Sequence, residues 1–444
     1  MELDNITIET DMGNINVPTQ EIFDFVLKLG KENKRRSDLR QADIEDFFGE
    51  SDYDTEYFAL NHFKVQSYIY CLWEVINRDY DIIKLTNYDG KFTSEKPAKG
   101  YDFKISLTDK KHLLIDCVAY LKNKKTGDKM VLSMMPYNDA DKIFIEIESF
   151  YSNENVSFRD FWNSVREYFK TQGPLKNALF DTNWNYVDFK YRDWSSIVIS
   201  EEQRRVIDRN VINFISNLEQ YKELRLPTSR GVLITGPPGT GKTLLCETII
   251  SQVECTKIYV TSDSVNNVGD IKQIYKVARV LAPSIVIIED IDTLGALDRR
   301  EGGNHPLLGE FLNCLNGVGS NDGVVTLATT NYPKHLDVAL VDRPGRIDLR
   351  IEFGLPDKDL REHIFKKYLD DLETTKINYS SLSKKSEGMT GAYIREVVMS
   401  AYIIAQEVDG IITQDIVEEA LNNVQMMKKS LYSDVKSTPD VYYN

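Results

Sequence analysis

The stretch that decides the fold is GPPGTGKT at residues 236–243, which follows the apolar run Gly231 to Thr235 and precedes the helical pattern LLCETII. A glycine-rich loop between a strand and a helix lets backbone N–H groups curl round a phosphate at distances that a Cβ would block. Lys242 would add a point charge for the phosphates, and Thr243 a hydroxyl ligand for Mg²⁺. A glycine-rich turn without a ligand is the alternative, but it rarely has this spacing between a strand and a helix. The sequence predicts that the nucleotide contacts Gly236, Pro237, Pro238, Gly239, Thr240, Gly241, Lys242, Thr243 and Leu244.

Around this loop, from Ser200 onward, apolar strand-like runs alternate with helical patterns. This alternation predicts a parallel sheet covered by helices on both faces, as in α/β P-loop proteins. The predicted strands are Gly231 to Thr235, Lys257 to Thr261, Ser284 to Glu289, Val324 to Thr329 and Leu349 to Phe353. We expect a large P-loop domain at residues 191–356, a small helical domain at 357–429, and a flexible tail at 430–444.

The residues before this region have a different pattern, with short β-like runs in succession and helices before and after them. Such a pattern predicts an α+β domain at residues 1–190 whose sheet is largely antiparallel. Its candidate strands are Asp81 to Leu85, Tyr101 to Leu107, His112 to Leu121, Lys129 to Met135 and Lys142 to Glu148. No known family is recognised in it. The basic stretch at 31–36 and the acidic stretch at 45–56 are typical of solvated faces, and a partner-docking surface is the alternative.

Composition narrows the class of partner. The 444 residues carry a net charge of −15, with a pI near 5.0, which argues against a broad surface for nucleic acid or anionic membrane. Five widely spaced cysteines are typical of reduced core residues in a cytoplasmic protein. The first residues are acidic where a targeting segment would be basic or apolar, and no apolar run reaches 18 residues, so we expect no membrane insertion.

Paired acids follow the third predicted strand of the second region. Four apolar residues, Ile285 to Ile288, lead directly into Glu289 and Asp290. In a P-loop NTPase one such carboxylate lies near Mg²⁺ and the next polarises water. A solvated strand end would also carry acids, but a position in the same parallel sheet as the loop favours the functional interpretation.

Taken together, residues from about Trp194 to Lys429 resemble the AAA family of ATPases. Beyond the Walker A loop and the Walker B acids, TTN ending at Asn331 looks like sensor 1, which helps to orient the lytic water. The run LDVALVDRPGRID, with Arg343 and Arg346, resembles the arginine-finger segment that reaches the neighbouring subunit's nucleotide. Gly391 and Ala392 look like the sensor 2 element. The resemblance implies binding of ATP and Mg²⁺ and a homo-oligomeric ring, expected to be a hexamer.

The order of the two acids departs from most of that family, where the strand ends in Asp-Glu. Because side chains alternate along a strand, we expect position rather than residue type to set the roles. Glu289 is then assigned to the Mg²⁺ shell and Asp290 to polarising water. The same inversion makes the ATPase module resemble the branch of the mitochondrial Rieske-protein translocase most closely, although the chain lacks that branch's N-terminal transmembrane helix.

A second departure lies at Asn267-Val268-Gly269, where threading members usually have an aromatic residue, a hydrophobic residue and glycine. Two interpretations stay open, a pore-lining loop without an aromatic grip and a plain connection between strand and helix. At the other end, Tyr442-Tyr443-Asn444 is similar to the tail with which proteasome-activating ATPases dock to a second ring, and a frayed terminus is the alternative.

The sequence thus predicts a Mg²⁺-dependent ATPase that remodels, unfolds or disassembles a protein or protein complex chosen by its N-terminal domain. One rival is an ATP-gated assembly scaffold that hydrolyses slowly. Another is a nucleic-acid motor or loader, which the acidic composition and the lack of a basic patch interleaved with aromatics disfavour.

Overall fold

A computed structural model describes residues 5–10, 13–18, 38–49, 52–60, 62–139, 142–152, 157–261, 264–265, 267–293, 306–315, 321–332 and 347–437. The chain divides into two compact units, Met1–Leu175 and Lys176–Asn444. Three predicted features lie outside the described residues: the basic stretch at 31–36, the arginine-finger residues, and the last seven residues of the tail.

The first unit is built on antiparallel strands, as predicted. Its strands are β1 (Asn5–Thr10), β2 (Gly13–Pro18), β3 (Asp54–Leu60), β4 (Tyr80–Tyr88), β5 (Glu95–Lys96), β6 (Lys99–Lys104), β7 (Lys110–Asn123), β8 (Lys129–Asp139) and β9 (Lys142–Tyr151). A seven-stranded sheet has the order β3-β9-β8-β7-β4-β5, with β6 beside β7, and all its pairs are antiparallel. The strands β1 and β2 pair with each other.

The described residues of this unit form three helices: α1 (Asp38–Phe48), α2 (His62–Asp79) and α3 (Ser157–Thr171). Residues 117–121 of β7 are all buried in succession, as expected of a strand whose two faces are both covered. On one face, Val118 and Tyr120 pack in a cluster with Ile44 of α1. The helix α2 contacts β4, β7 and β9, so this unit has a core of its own.

The second unit contains a six-stranded parallel sheet. Its strands are β10 (Leu179–Asp181), β11 (Arg230–Thr235), β12 (Thr256–Val260), β13 (Ser284–Ile288), β14 (Val324–Thr330) and β15 (Leu349–Glu352). The spatial order is β10-β12-β13-β14-β11-β15, and every pair is parallel. The parallel sheet predicted from the alternation is therefore confirmed, and each of its five predicted strands is present to within one residue at either end.

The sixth strand corrects the predicted domain boundary. β10 pairs in parallel with β12, so residues before 191 already belong to the parallel sheet, and the second unit begins at Lys176 rather than at residue 191. A strand of three residues is too short to show a period of two, which is why the sequence did not reveal it.

Helices surround this sheet and follow it. They are α4 (Glu201–Ile207), α5 (Asn213–Ser216), α6 (Leu218–Glu223), α7 (Lys242–Gln252), α8 (Val268–Val280), α9 (Pro306–Leu315), α10 (Lys358–Leu369), α11 (Tyr379–Lys385), α12 (Gly391–Gln406) and α13 (Gln414–Ser437). The last four share a separate apolar cluster that includes Phe365, Leu382, Val397 and Leu421. A small helical domain follows the sheet, as expected.

The end of this helical domain differs from the prediction. Helix α13 continues to Ser437, so residues 430–437 are helical and not part of a flexible tail. No glycine or proline interrupts the segment before Pro439, and the helical conformation can therefore extend beyond the apolar pattern that marked its first turns.

Sheet order decides where polar residues meet. The carboxyl ends of β13, β14 and β11 are neighbours, since Ile288 lies opposite Ala328 and Thr330 lies opposite Thr235. Ligands of open parallel sheets bind at this edge, outside the carboxyl ends of the strands.

Candidate nucleotide-binding site

The glycine loop leaves β11 and leads directly into α7, as the sequence predicts. At Gly236 an added Cβ would overlap the carbonyl of Phe353. At Gly239, where φ is +78°, a Cβ would lie 2.9 Å from Cβ of Ala392 and 3.0 Å from Oγ1 of Thr390. Glycine is therefore required at both positions by close packing, and at Gly239 also by a left-handed backbone.

Lys242 is the first residue of α7, and only 6% of its surface is exposed. Its Nζ donates to the carbonyl oxygens of Gly236 at 2.8 Å and Pro237 at 3.0 Å, and to Oδ1 of Asn331 at 2.7 Å. Burial lowers the pKa of this amine, and the nearby carboxylates of Asp290 and Asp292 oppose that shift. All three bonded acceptors are uncharged oxygens, so the buried cation has no directly bonded anion among them.

Asp290 and Asn331 are bonded to each other beside Lys242. Nδ2 of Asn331 donates to Oδ1 of Asp290 at 2.8 Å, while its Oδ1 accepts from Lys242. Burial and the neighbouring Asp292 raise the pKa of Asp290, whereas Lys242 and the bond from Asn331 lower it. One amide thus bridges the loop lysine and the second acid, the contact expected if Asn331 is sensor 1.

Glu289 lies in a different environment. Its Oε1 is buried with no hydrogen-bond partner among the described residues. Burial and the neighbouring carboxylate of Glu289 raise the pKa of the Tyr259 hydroxyl. A buried carboxylate oxygen without a partner fits a hard cation, which prefers oxygen ligands.

The metal would not need a cage of protein ligands here. Among the described residues no group of three or more His, Cys, Asp or Glu side chains could hold a metal. Mg²⁺ usually takes only one or two carboxylates and completes its shell with water and phosphate oxygens. The arrangement is therefore compatible with Mg²⁺ at Glu289 and Thr243.

A cavity of about 700 Å³ opens beside these groups. Most of the predicted nucleotide contacts line it, namely Pro238, Gly239, Thr240, Gly241, Lys242, Thr243, Leu244, Gly391 and Ala392, together with the predicted catalytic residues Asp290 and Asn331. The backbone N–H of Ala392 donates to the carbonyl of Gly239 at 3.0 Å. The predicted sensor 2 element is thus in contact with the glycine loop, and the volume lies within the range of small-ligand sites.

Other residues of the cavity were missed by the sequence analysis. They are Arg192, Ser196, Ile197, Val198, Glu247, Ile364, Lys367, Tyr368 and Arg395. Arg192 and Glu247 form an ion pair at 2.5 Å, and Lys367 donates to the carbonyl of Ser195. The spacing of Ile364, Lys367 and Tyr368 on α10 was visible as one helical face, but only the fold shows that this face borders the cavity.

Asn267 has a local role. It is the N-cap of α8, and its Oδ1 accepts from the backbone N–H of Asp270 at 3.1 Å while Asp270 Oδ2 accepts from the backbone N–H of Asn267 at 3.2 Å. This capping box satisfies N–H groups that the helix leaves free. It favours the interpretation of the segment as a connection between strand and helix.

The comparisons with known proteins agree with this geometry. The profile of the "ATPase family associated with various cellular activities (AAA)" matches residues 232–355. The proteasome-activating nucleotidase of Methanopyrus kandleri is 30% identical over 336 residues, which are 73% of this chain and 74% of that protein. The chain belongs to the AAA ATPase family.

Other similarities of this AAA ATPase cover a smaller share of this chain. The proteasome-activating nucleotidase of Sulfurisphaera tokodaii is 37% identical over 210 residues, 44% of this chain and 53% of that protein. The chain therefore spans about half the length of that relative. A solved structure, "Structural Basis for Katanin Self-Assembly", is 28% identical, covers 52% of this chain and 84% of its own, and has a TM-score of 0.43.

Three predictions about this AAA ATPase remain to be tested. The comparisons do not test its place in the branch of the Rieske-protein translocase. Arg343 and Arg346, and likewise Tyr442 to Asn444, lie outside the described residues.

Of the helices that the structure describes, none is long and apolar enough to cross a membrane.

Proposed function

We propose that this AAA ATPase hydrolyses ATP to ADP and phosphate with Mg²⁺, and that it uses the energy to remodel, unfold or disassemble a protein or protein complex. The observation that carries the proposal is that Lys242, Asn331 and Asp290 are joined by hydrogen bonds and line the same cavity as the glycine loop. Membership of the AAA family supports it.

Each residue has a role that follows from its position. The amine of Lys242 and the loop N–H groups would bind the phosphates, with Gly391 and Ala392 closing the cavity. Thr243 and Glu289 would hold Mg²⁺, which supplies charge neutralisation on the phosphate oxygens when bound. Asp290 accepts a proton from water that Asn331 helps to orient.

The oligomeric part of the proposal is a homo-oligomeric ring, expected to be a hexamer, in which Arg343 and Arg346 serve the nucleotide of a neighbouring subunit. A finger in trans predicts that inactive Arg346→Ala and inactive Lys242→Ala proteins regain some turnover when mixed. Mixed rings without any turnover would show that the finger acts within its own subunit.

The substrate part rests on the first unit and on the names of the relatives. Both relatives compared above are proteasome-activating nucleotidases, and a protein substrate suits a net charge of −15 better than nucleic acid does. The five buried free cysteines suit a reducing, cytoplasmic compartment. Docking of Tyr442 to Asn444 to a second ring can be tested by deleting those three residues and identifying any partner that is lost.

The direct test of the enzyme is turnover of ATP by the full chain, with and without Mg²⁺. Lys242→Ala should abolish turnover, whereas Lys276→Ala, a change to an exposed lysine on α8, should leave it unchanged. Equal turnover by both variants would refute the proposal. Proteins that co-purify with the Asp290→Asn ring would identify the substrate. If the wild-type protein still hydrolyses ATP slowly when those proteins are present, the ATP-gated scaffold is favoured instead.

A further inference from the structure

The second acid has an unusual backbone. Asp290 has φ +47°, in the left-handed region, although it is not glycine. Residues other than glycine occupy that region at a cost, and aspartate and asparagine tolerate it better than longer side chains do. The backbone therefore gives a physical reason for aspartate, rather than glutamate, at the position assigned to water.

Such a conformation persists only where its surroundings hold it. On one side, the backbone N–H of Asp290 donates to Oγ1 of Thr329 at 2.9 Å. On the other, the carbonyl of Asp290 accepts from the backbone N–H of Thr293 at 2.8 Å and from its hydroxyl at 2.6 Å. Thr329 lies on β14 and is 1% exposed, so its hydroxyl is fixed by the packed sheet.

A reciprocal bond holds the partner of Asp290. The backbone N–H of Asn331, which follows β14, donates to Oδ1 of Asp292, which follows β13. This distance is 3.2 Å, and Asp292 is 4% exposed. Each strand end therefore uses a buried side chain to fix the backbone of the functional residue on the other strand end.

The bond from Asp290 to Thr329 and the bond from Asn331 to Asp292 hold the backbones of the two residues whose side chains are in contact, Asn331 Nδ2 with Asp290 Oδ1 at 2.8 Å. We propose that Thr329 and Asp292 are positioning residues, which together hold Asp290 and Asn331 in the relative orientation that hydrolysis requires. The inference rests on the proposed ATPase function, and it assigns to both residues an effect on turnover that a purely structural hydroxyl or carboxylate would not have.

The first arm of the test compares Thr329→Val, which removes the hydroxyl but keeps the shape, with Thr329→Ser, which keeps the hydroxyl. Loss of positioning should lower kcat about 10- to 100-fold in the valine variant, while ATP affinity stays within about threefold. The serine variant should recover most of the lost kcat. A valine variant with kcat within about twofold of wild type, or a serine variant as slow as valine, would overturn the inference.

A matched control lies on the same strand. Thr326 is also buried, and its hydroxyl contacts the hydroxyl of Tyr275 instead of the site. Thr326→Val removes an equivalent hydroxyl, so it should lower thermal stability without changing kcat. A similar fall in kcat in Thr329→Val and Thr326→Val would mean that the loss of any buried hydroxyl from this strand slows turnover, and it would refute positioning.

The second arm keeps the inference testable if Thr329→Val does not fold. Asp292→Asn retains an oxygen acceptor but removes the charge, whereas Asp292→Ala removes both. Positioning predicts a smaller loss of kcat for asparagine than for alanine, and equal losses would contradict it. If wild type itself does not hydrolyse ATP, the proposed function fails; if it does and Thr329→Val is unimpaired, only this inference fails.

Discussion

Each compact unit contains a lysine bonded to several oxygen acceptors, and the acceptors of the two lysines differ in charge. In the first unit, Lys84 Nζ lies 3.0 Å from Oδ2 of Asp43 and 2.5 Å from Oε1 of Glu95. In the second, the donors of Lys242 are directed at two carbonyls and an amide oxygen. The first cation is bonded to carboxylates of its own unit, and the second is bonded to neutral acceptors.

The pKa values of the two lysines shift in opposite directions, as these contacts predict. Burial lowers the pKa of Lys84, but the bonds to Glu95 and Asp43 outweigh it, and the net shift is upward. Burial also lowers the pKa of Lys242, and there the more distant charges of Asp290 and Asp292 do not reverse the shift. A lysine whose charged form has no anion bonded directly to it gains further stabilisation from a bound anion, which is what a phosphate site requires.

The surrounding groups extend the contrast. The hydroxyl of Tyr88 donates to Asp43 at 2.5 Å and lies 2.7 Å from the hydroxyl of Tyr120, so α1, β4 and β7 are joined in one network. Around Lys242 the corresponding network borders a cavity. The first network is expected to stabilise a fold, and the second to bind and act on a ligand.

The largest difference should appear when the acid of each network loses its charge. Asp290→Asn should bind ATP within about threefold of wild type yet lose about 10²- to 10⁴-fold in turnover, because it can no longer accept the proton of water. Asp43→Asn should leave turnover unchanged and lower the free energy of unfolding by about 1 to 2 kcal/mol. Steady-state kinetics and denaturant unfolding check both. Rapid turnover by Asp290→Asn, with Glu289→Gln trapping ATP instead, would reverse the assigned roles of the two acids.

A smaller effect follows from the lowered pKa of Lys242. Phosphate binding favours the charged amine, so the affinity for ATP should be constant below the pKa of the free protein and fall as the pH rises through it. One linked proton limits the change to about tenfold per pH unit. Calorimetric titrations above about pH 8, where the phosphates have already lost their second proton, should detect proton uptake. Affinity that stays flat up to the ordinary lysine pKa of 10.5 would contradict the unpaired charge.

Tyr120→Phe tests the network of the first unit alone. Loss of one hydroxyl next to Tyr88 should lower the free energy of unfolding by about 1 kcal/mol, because a buried hydrogen bond is lost. Thermal unfolding measures the loss, and ATP turnover is the control. A fall in turnover with little loss of stability would mean that this network is not purely structural.

A comparably small effect is expected at Asn267, which caps α8. Asn267→Ala should lower the free energy of unfolding by about 1 kcal/mol and leave the ATPase rate unchanged. Asn267→Asp, which can still cap the helix, should restore stability. Loss of remodelling by both variants at a normal ATPase rate would instead identify a pore-loop contact.

Much of the site was predictable because its residues fall in short contiguous patterns. The loop, Glu289-Asp290 and Asn331 each end a strand, and the carboxyl ends of neighbouring parallel strands meet at one edge. What the sequence did not reveal depends on tertiary contact. Thr329 reads as an ordinary strand residue, and the left-handed backbone of Asp290 has no local signal. The strand β10 has only three residues, too few to show an alternating pattern, and helix α13 continues beyond the segment with an apolar pattern.

The central claim is that Lys242 binds an anion from outside the chain whereas Lys84 binds the chain's own anions. Calorimetric titration of Mg·ATP into wild type, Lys242→Ala and Lys84→Ala tests it most directly. We predict that Lys84→Ala binds within about threefold of wild type and that Lys242→Ala binds at least about 100-fold more weakly, because a desolvated phosphate cluster loses its nearest cation. Binding by Lys242→Ala within about threefold of wild type would contradict the account.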